Sequence, residues 1–241
     1  MTRQVLMEIY GRLFRHFGPR GWWPGDTAIE VCVGAILVQN TSWANAARAI
    51  DNLKGRGLLS TEGLRDVSRP RLARLIRPAR FFNVKAARLK SFIHLLWSEH
   101  EGRLKHLFSL STDVLREALL KLKGVGPETA DSVLLYAADR PVFVVDAYTH
   151  RILSRLGLYD GPRTGRGGYE TLQDLFHRVL PRDVALYNEY HAVLVELGKE
   201  YCRPRPICAP CPLRDICPYP ESEPKKSNVK GDAKKSQGRG R

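Results

Sequence analysis

At 241 residues with 43% hydrophobic content, the chain is long enough to bury one large core or two modest ones. It has no apolar run approaching the roughly 18 residues of a membrane span, and its N-terminus lacks a secretory leader pattern, so a cytoplasmic, nucleoid-associated protein without membrane contact is expected. Thirty-nine Lys and Arg against 25 acidic residues give a net charge of +14, a balance suited to neutralising phosphates and pointing first to nucleic acid.

Helical periods dominate along the chain and no alternating strand stands out, so the expected fold is all-α. Leu6, Ile9, Tyr10, Leu13 and Phe17 fall on one stripe of a first helix. After the turn "GPRGWWPGD", residues 28–38 are apolar nearly all round, which predicts a buried central helix with Cys32 as a small apolar filler. Thr27 and Glu30 have the spacing of a capping box at its start. Further helices are predicted over 43–53, 71–76 and 84–97, the last with Asn83 as its N-cap.

Two apolar faces then flank a glycine turn: Val114, Leu115, Ala118, Leu119 and Leu122 before it, Thr129, Ala130, Val133, Leu134 and Ala137 after it. Gly124, Val125 and Gly126 form the turn, and Pro127 opens the next helix. Paired glycines expose backbone N–H groups, and a helix start adds free donors and a positive dipole end, so this is a candidate phosphate seat; an ordinary helix–helix turn is the alternative.

Beyond lies the apolar run 142–145, ended by Asp146, which suits an N-cap for the helix that follows. His150 and His191 lie on helical patterns and read as surface or satisfied core residues, while Tyr148 either lines a pocket or packs. "DGPRTGRGG", residues 160–168, reads as a flexible loop without the full dinucleotide fingerprint. Residues 221–241, with seven basic residues against three acids and no apolar period, are expected to form a disordered basic tail.

The hairpin "LKGVGPETAD" followed by "VVDAYTHRI" resembles the signature of the helix-hairpin-helix DNA glycosylases, the endonuclease III superfamily. "GAILVQNTSWANAARAI" at 34–50, "FFNVKAARL" at 81–89 and "ELGKEYC" at 196–202 extend the resemblance over most of the chain. It implies that Asp146 is the catalytic carboxylate and that Gln39, beside Asn40, enters the duplex where a nucleotide has been flipped out. A carboxylate suits that chemistry because breaking a glycosidic bond develops positive charge on the sugar.

Members of this superfamily that also cut the strand carry a lysine where this chain has Glu128, and a carboxylate forms no Schiff base. Lys123 lies on the wrong side of the hairpin to replace it. The resemblance therefore implies a monofunctional glycosylase. The adenine-mismatch branch carries a glutamate where this chain has Ala35, whereas "WWP" and Glu128 resemble the 3-methyladenine branch. Trp22, Trp23 and Trp43 then become candidate walls for a cationic alkylated purine. An endonuclease III-like enzyme for oxidised pyrimidines is the alternative, and a non-catalytic redox-sensing iron–sulfur DNA-binding protein is a rival of another class.

Cys202, Cys208, Cys211 and Cys217 are spaced C-x5-C-x2-C-x5-C, four soft thiols in one short loop. Such a set implies zinc or an iron–sulfur cluster. Close resemblance to the endonuclease III loop, whose first gap is one residue longer, favours a [4Fe–4S] cluster. The expected organisation is a helical bundle over 21–134 ending in the hairpin, and a cluster-bearing domain of 1–20 plus 135–220, with the substrate cleft between them. The expected partner is double-stranded DNA containing damaged bases, and the expected state a monomer.

Overall fold

The computed structural model describes residues 2–162 and 165–219, and the basic tail lies outside them. Twelve α-helices are formed among the described residues, with no strand. They are α1 (Arg3–Phe17), α2 (Ala28–Leu37), α3 (Trp43–Lys54), α4 (Thr61–Asp66), α5 (Arg69–Leu75), α6 (Phe82–His100), α7 (Leu104–Phe108), α8 (Thr112–Leu120), α9 (Pro127–Tyr136), α10 (Ala147–Arg155), α11 (Gly165–Val179) and α12 (Val184–Glu200).

Two hydrophobic cores result. The first gathers α2, α3, α6, α8 and α9 around Leu37, Leu53, Leu89, Phe92 and Leu134. The second joins α1, α10, α11 and α12 around Leu6, Leu13, Phe143, Phe176 and Tyr190. Leu6, Ile9 and Leu13 of the predicted stripe bury α1 in that second core. α2 is buried on nearly every side, as its continuous apolar run requires.

Local corrections have identifiable causes. α6 begins at Phe82, one residue before the predicted cap Asn83, because Arg80 and Phe81 turn the chain sharply at positive φ and the Phe81 carbonyl accepts the first helical bonds. α5 begins two residues early, with Pro70 in its first turn. Thr27 caps α2 as predicted, accepting from the Glu30 N–H at 3.3 Å. The Glu30 carboxylate, however, accepts from the Asp26 N–H and pairs with Lys54 at 2.7 Å, leaving the box half formed. α11 takes up Gly165–Gly168, so the predicted loop is shorter, and its residues 163 and 164 lie outside the described chain.

A buried lysine sets the exit of α2. The Lys85 ammonium donates to the Leu37 carbonyl at 2.9 Å and the Ala79 carbonyl at 2.7 Å, closing the C-terminal end of α2 just before Gln39. Desolvation, followed by the charges of Arg88 and Arg80, pulls this amine down to about 8.

The apolar run 142–145 is extended without being a strand, and side chains of α11 satisfy its backbone. His177 Nε2 accepts from the Phe143 N–H at 2.8 Å, Gln173 donates to the Phe143 carbonyl at 2.7 Å, and the Tyr169 hydroxyl accepts from the Val145 N–H at 3.4 Å. Residues 169, 173 and 177 are one helical stripe. Desolvation lowers His177 to about 4, which keeps its ring neutral and able to accept.

Fully buried Asp131 of α9 anchors the stripe. It takes two hydrogen bonds from Arg116 of α8, at 2.7 and 3.0 Å, one from the Tyr169 hydroxyl at 2.8 Å and one from Gln173 at 2.7 Å. Asp131→Ala strips the Arg116 guanidinium of its partner and should cost about 3–5 kcal/mol of stability, read by denaturant unfolding. A loss below about 1 kcal/mol would remove the network from that role.

Candidate active site

A cavity of about 970 Å³ opens between the two cores. The Gln39 loop, the start of α9, the start of α10 and one face of α12 line it. Of the sequence-predicted residues, Trp22, Trp23, Trp43, Gln39, Asn40, Gly124, Gly126, Glu128 and Asp146 all meet there.

Asp146 is both cap and cavity wall. Its Oδ1 accepts from the Thr149 N–H at 2.7 Å and the Thr149 hydroxyl at 2.8 Å, and that hydroxyl accepts in turn from the Asp146 N–H. A reciprocal box thus fixes the carboxylate at the N-terminus of α10, where the helix dipole favours negative charge. Oδ2 is left out of this box and stands 3.8 Å from His191 Nε2.

Glu128 occupies the first turn of α9. Its carboxyl reaches solvent through the cavity, but the surrounding walls desolvate it and the charge of Asp146 repels a second anion. Both effects push it up to about 7, against the helix dipole. The two carboxyls therefore differ in character, one locked in hydrogen bonds and one poised to exchange a proton near neutrality.

The three tryptophans form a corner. Trp23 meets Trp43 edge-on with ring centroids 5.2 Å apart, Trp22 lies 5.6 Å from Trp23, and Tyr136 lies 5.3 Å from Trp23. Gly34 makes room for this corner, since a Cβ there would approach the Trp23 indole nitrogen to 3.1 Å. Lys199 holds its ammonium 5.4 Å from the Trp22 ring. Trp97, the fourth tryptophan, donates to the Thr61 carbonyl and packs under Arg65, away from the cavity.

Gln39 is tied to the hairpin. Its amide donates to the Thr129 hydroxyl at 2.8 Å and the Gly124 carbonyl at 3.2 Å, and its oxygen accepts from Arg88. Gly124 has φ +85°, and a Cβ there would overlap the Arg88 guanidinium, so the position needs glycine on two counts. Val125 departs from the expected phosphate seat: its side chain is buried in the first core and its N–H donates to the Leu122 carbonyl at 3.0 Å. Gly124 and Gly126 are the exposed members of the turn. An open groove continues beside it, lined by Arg69, Lys90, His94, Lys121 and Lys123.

The places of His191 and Lys199 in the cavity, and of Tyr136 behind His191, escaped the sequence reading. His191 is neither a surface nor a satisfied core residue: it is buried and its Nε2 has no hydrogen-bond partner among the described residues. With Val195 and Lys199 it forms an i, i+4, i+8 stripe of α12 facing the cavity, while Glu128 and Ser132 of α9 line the opposite wall and Tyr136, one turn further on, lies behind it against His191. A histidine and a lysine on one stripe were the available signal. His150 instead stacks edge-on with Tyr159, outside the cavity.

Cys202, Cys208, Cys211 and Cys217 are half-buried free thiols beside the second core. Burial raises Cys211 and Cys217, and the other cysteines of the loop add to both shifts. Arg155 donates to Cys202 Sγ at 3.3 Å, and Arg151 to the Cys202 carbonyl at 2.7 Å. Among the described residues, no three His, Cys, Asp or Glu groups are gathered closely enough to hold a single ion. No helix among them is long and apolar enough to cross a membrane.

A family model for the HhH-GPD superfamily of base excision DNA repair proteins matches residues 33–178. A Methanocaldococcus jannaschii protein named as a candidate DNA repair glycosylase is 44% identical over 216 residues, covering 89% of the chain and 96% of that relative. Endonuclease III of Thermotoga maritima is 30% identical, covering 89% and 93%. Among solved structures, Helicobacter pylori 3-methyladenine DNA glycosylase bound to 1,N6-ethenoadenine is 26% identical, with TM-score 0.71 over 83% of this chain and 98% of that one. An endonuclease III–DNA complex shares the fold, with TM-score 0.73 at 20% identity over 92% and 98%.

The raised Glu128 carboxyl sets a pH signature. The folded state binds this proton more tightly than the unfolded chain, whose Glu titrates near about 4.3, so the associated stability is complete below that value and lost as pH rises to about 7. Glu128→Gln should therefore match the parent's melting temperature near pH 4 and exceed it above pH 7. A difference independent of pH would contradict the assignment.

Proposed function

The chain belongs to the HhH-GPD superfamily of base excision DNA repair proteins, and from that premise we propose that it hydrolyses the N-glycosidic bond of alkylated purines in duplex DNA without cutting the strand. DNA glycosylase action on a DNA partner follows from the membership itself. The finer reading rests above all on one observation: a capped carboxylate, Asp146, and a second acid, Glu128, share a cavity walled by three indoles.

In the proposed step, water oxygen bonds to the sugar C1′ as the C1′–N bond breaks and its electron pair leaves with the base. Asp146 Oδ2 takes the water proton, and the carboxylate faces the positive charge that develops on the sugar. An alkylated purine already carries positive charge, so it leaves without prior protonation. Its cation also relieves the repulsion between Glu128 and Asp146, and its ring fits the indole corner. The resemblance to an H. pylori 3-methyladenine glycosylase supports this substrate class.

For the duplex, Gln39 and Asn40 are the proposed residues that fill the space of the flipped nucleotide, while Gly124 and Gly126 with Lys121 and Lys123 face the phosphates. The two cores become the two domains, one body over 21–134 and the other over 1–20 plus 135–220, acting as a monomer.

Cys202, Cys208, Cys211 and Cys217 are the proposed ligands of a [4Fe–4S] cluster. Their donor set fits: four soft thiols, none in a disulfide, in one loop beside the second core, the ligand type and number of a four-iron cluster. When bound, the cluster would pin the loop that Arg12 joins to α1 through Asp215 at 2.8 Å. Protein purified without oxygen should show the broad visible absorption of such a cluster, and replacing all four cysteines by Ser should abolish it. A colourless protein holding one equivalent of zinc would replace this assignment.

A second reading, excision of oxidised pyrimidines with strand cleavage, is favoured by the Thermotoga relative and by Lys199, an amine in the same cavity. The deciding experiment incubates duplexes carrying alkylated purines or oxidised pyrimidines with the protein and with Asp146→Asn, then measures freed base and borohydride-trapped adduct. Alkylpurine release without adduct, reduced about 10²-fold or more in the variant, is expected. Pyrimidine release with an adduct lost in Lys199→Ala would establish the second reading.

A further inference from the structure

A chain of polar groups, Tyr136 and His191, ends on Oδ2 of Asp146, and the glycosidic step described above gives those two residues no part. Tyr136 Oη lies 2.6 Å from His191 Nδ1, and His191 Nε2 lies 3.8 Å from Asp146 Oδ2. The three groups come from the end of α9, the middle of α12 and the cap of α10. His191 Nε2 is buried and unpartnered among the described residues. An orphaned buried nitrogen beside a reactive carboxylate calls for a reason.

The polarity of the chain is constrained. Burial, and then the charge of Asp146, hold the Tyr136 phenol protonated far above its usual range. Burial lowers His191 below the ordinary imidazole value; Asp146 opposes that shift and Lys199 adds to it. Around the pair, the other charged groups lining the cavity are Glu128 at the start of α9, Lys199 two turns along the same face of α12, and Arg88 of α6. A neutral ring beside a phenol has one arrangement that uses both its nitrogens: Tyr136 donates to Nδ1, and the ring proton sits on Nε2, facing Asp146.

We propose that His191, its tautomer fixed by Tyr136, is a positioning residue that directs an N–H at Asp146 Oδ2, giving that oxygen a donor and aiming it at the sugar. The inference rests on the reading of Asp146 as the catalytic carboxylate. The Thr149 box immobilises Oδ1, so the only oxygen left to work is the one His191 faces. In free enzymes such contacts are often long and shorten when substrate closes the site, which accommodates the present 3.8 Å. That N–H gives Oδ2 the donor that the Thr149 box leaves it without.

Two measurements test this. In histidine-labelled full-length protein, nitrogen NMR should find His191 neutral at pH 7 with its proton on Nε2, and Tyr136→Phe should mix the tautomers. A proton on Nδ1, or an imidazolium, overturns the proposal whatever the substrate. In single-turnover base release from methylated duplex DNA, His191→Leu should slow the reaction about tenfold or more and move the acid limb of the pH–rate profile upward. His191→Gln, which keeps an N–H, should recover most of both, with affinity for abasic duplex unchanged.

Equal losses in the Leu and Gln variants, tracking melting temperature with an unmoved acid limb, would reduce His191 to packing. Asp146→Asn run in parallel separates the two ideas. If it abolishes release while His191→Leu does not slow it, this proposal fails and the Asp146 reading stands; if Asp146→Asn still releases base, the Asp146 reading fails.

Discussion

The carboxylate of Asp131 is the interaction on which the geometry of the cleft depends. Four donors from Arg116, Tyr169 and Gln173 converge on it with no solvent exposure, so α8, α9 and α11 meet at one buried charge. Such a charge tolerates no missing partner, and it therefore fixes the rotation of α11 about its axis. That rotation presents Tyr169, Gln173 and His177 to the run 142–145, whose backbone has no sheet to pair with. The run ends at Asp146. The position of the candidate catalytic oxygen is thus inherited, through three side chains of one helical stripe, from a carboxylate that never touches the cavity.

Two carboxyls, Asp146 and Glu128, share the cavity, with Lys199 and Arg88 on its other walls. Asp146 is stabilised by a cap and a helix dipole, and Glu128, close by and desolvated, yields by taking up its proton near neutrality. The same arrangement that disfavours two anions favours a cation entering between them, and indole faces add attraction of the same kind. An aromatic corner and an acid pair are therefore two parts of one preference, which is why neither tryptophans nor acids alone carry the substrate reading.

Much of the fold was legible in the sequence because its signals are local. The stripe Leu6, Ile9, Leu13, the continuous apolar run of α2 and the cap at Thr27 each depend on residues within one or two turns. Short α4 and α7 escaped because five or six residues hold too little of a period, and Phe81 displaced Asn83 because a tight turn at positive φ is set by what packs behind it. At the site, Asp146 and Glu128 were visible through motif spacing. Tyr136, His191 and Lys199 were not, since they meet only when α9 and α12 converge from opposite ends of the fold. His177 was hidden for the same reason: its role is to replace a backbone partner that the extended run lacks.

In the proposed reading, Gln39 ties recognition of the duplex backbone to opening of the helix. Its amide is bound to the Gly124 carbonyl and the Thr129 hydroxyl, and its oxygen to Arg88, so in the free protein the proposed wedge is stored against the hairpin proposed to meet phosphate. Each such bond contributes about 0.5–1.5 kcal/mol net, slightly more where a guanidinium donates. Releasing all three costs a few kcal/mol, the same order as extruding a nucleotide from the stack. Arg88 gains phosphate as an alternative acceptor when DNA lies on the hairpin, which is the condition under which the proposed wedge can leave without stranding that guanidinium. Insertion is then favoured where backbone contact and an easily unstacked base coincide, and disfavoured on intact duplex, where the second half of that balance is missing.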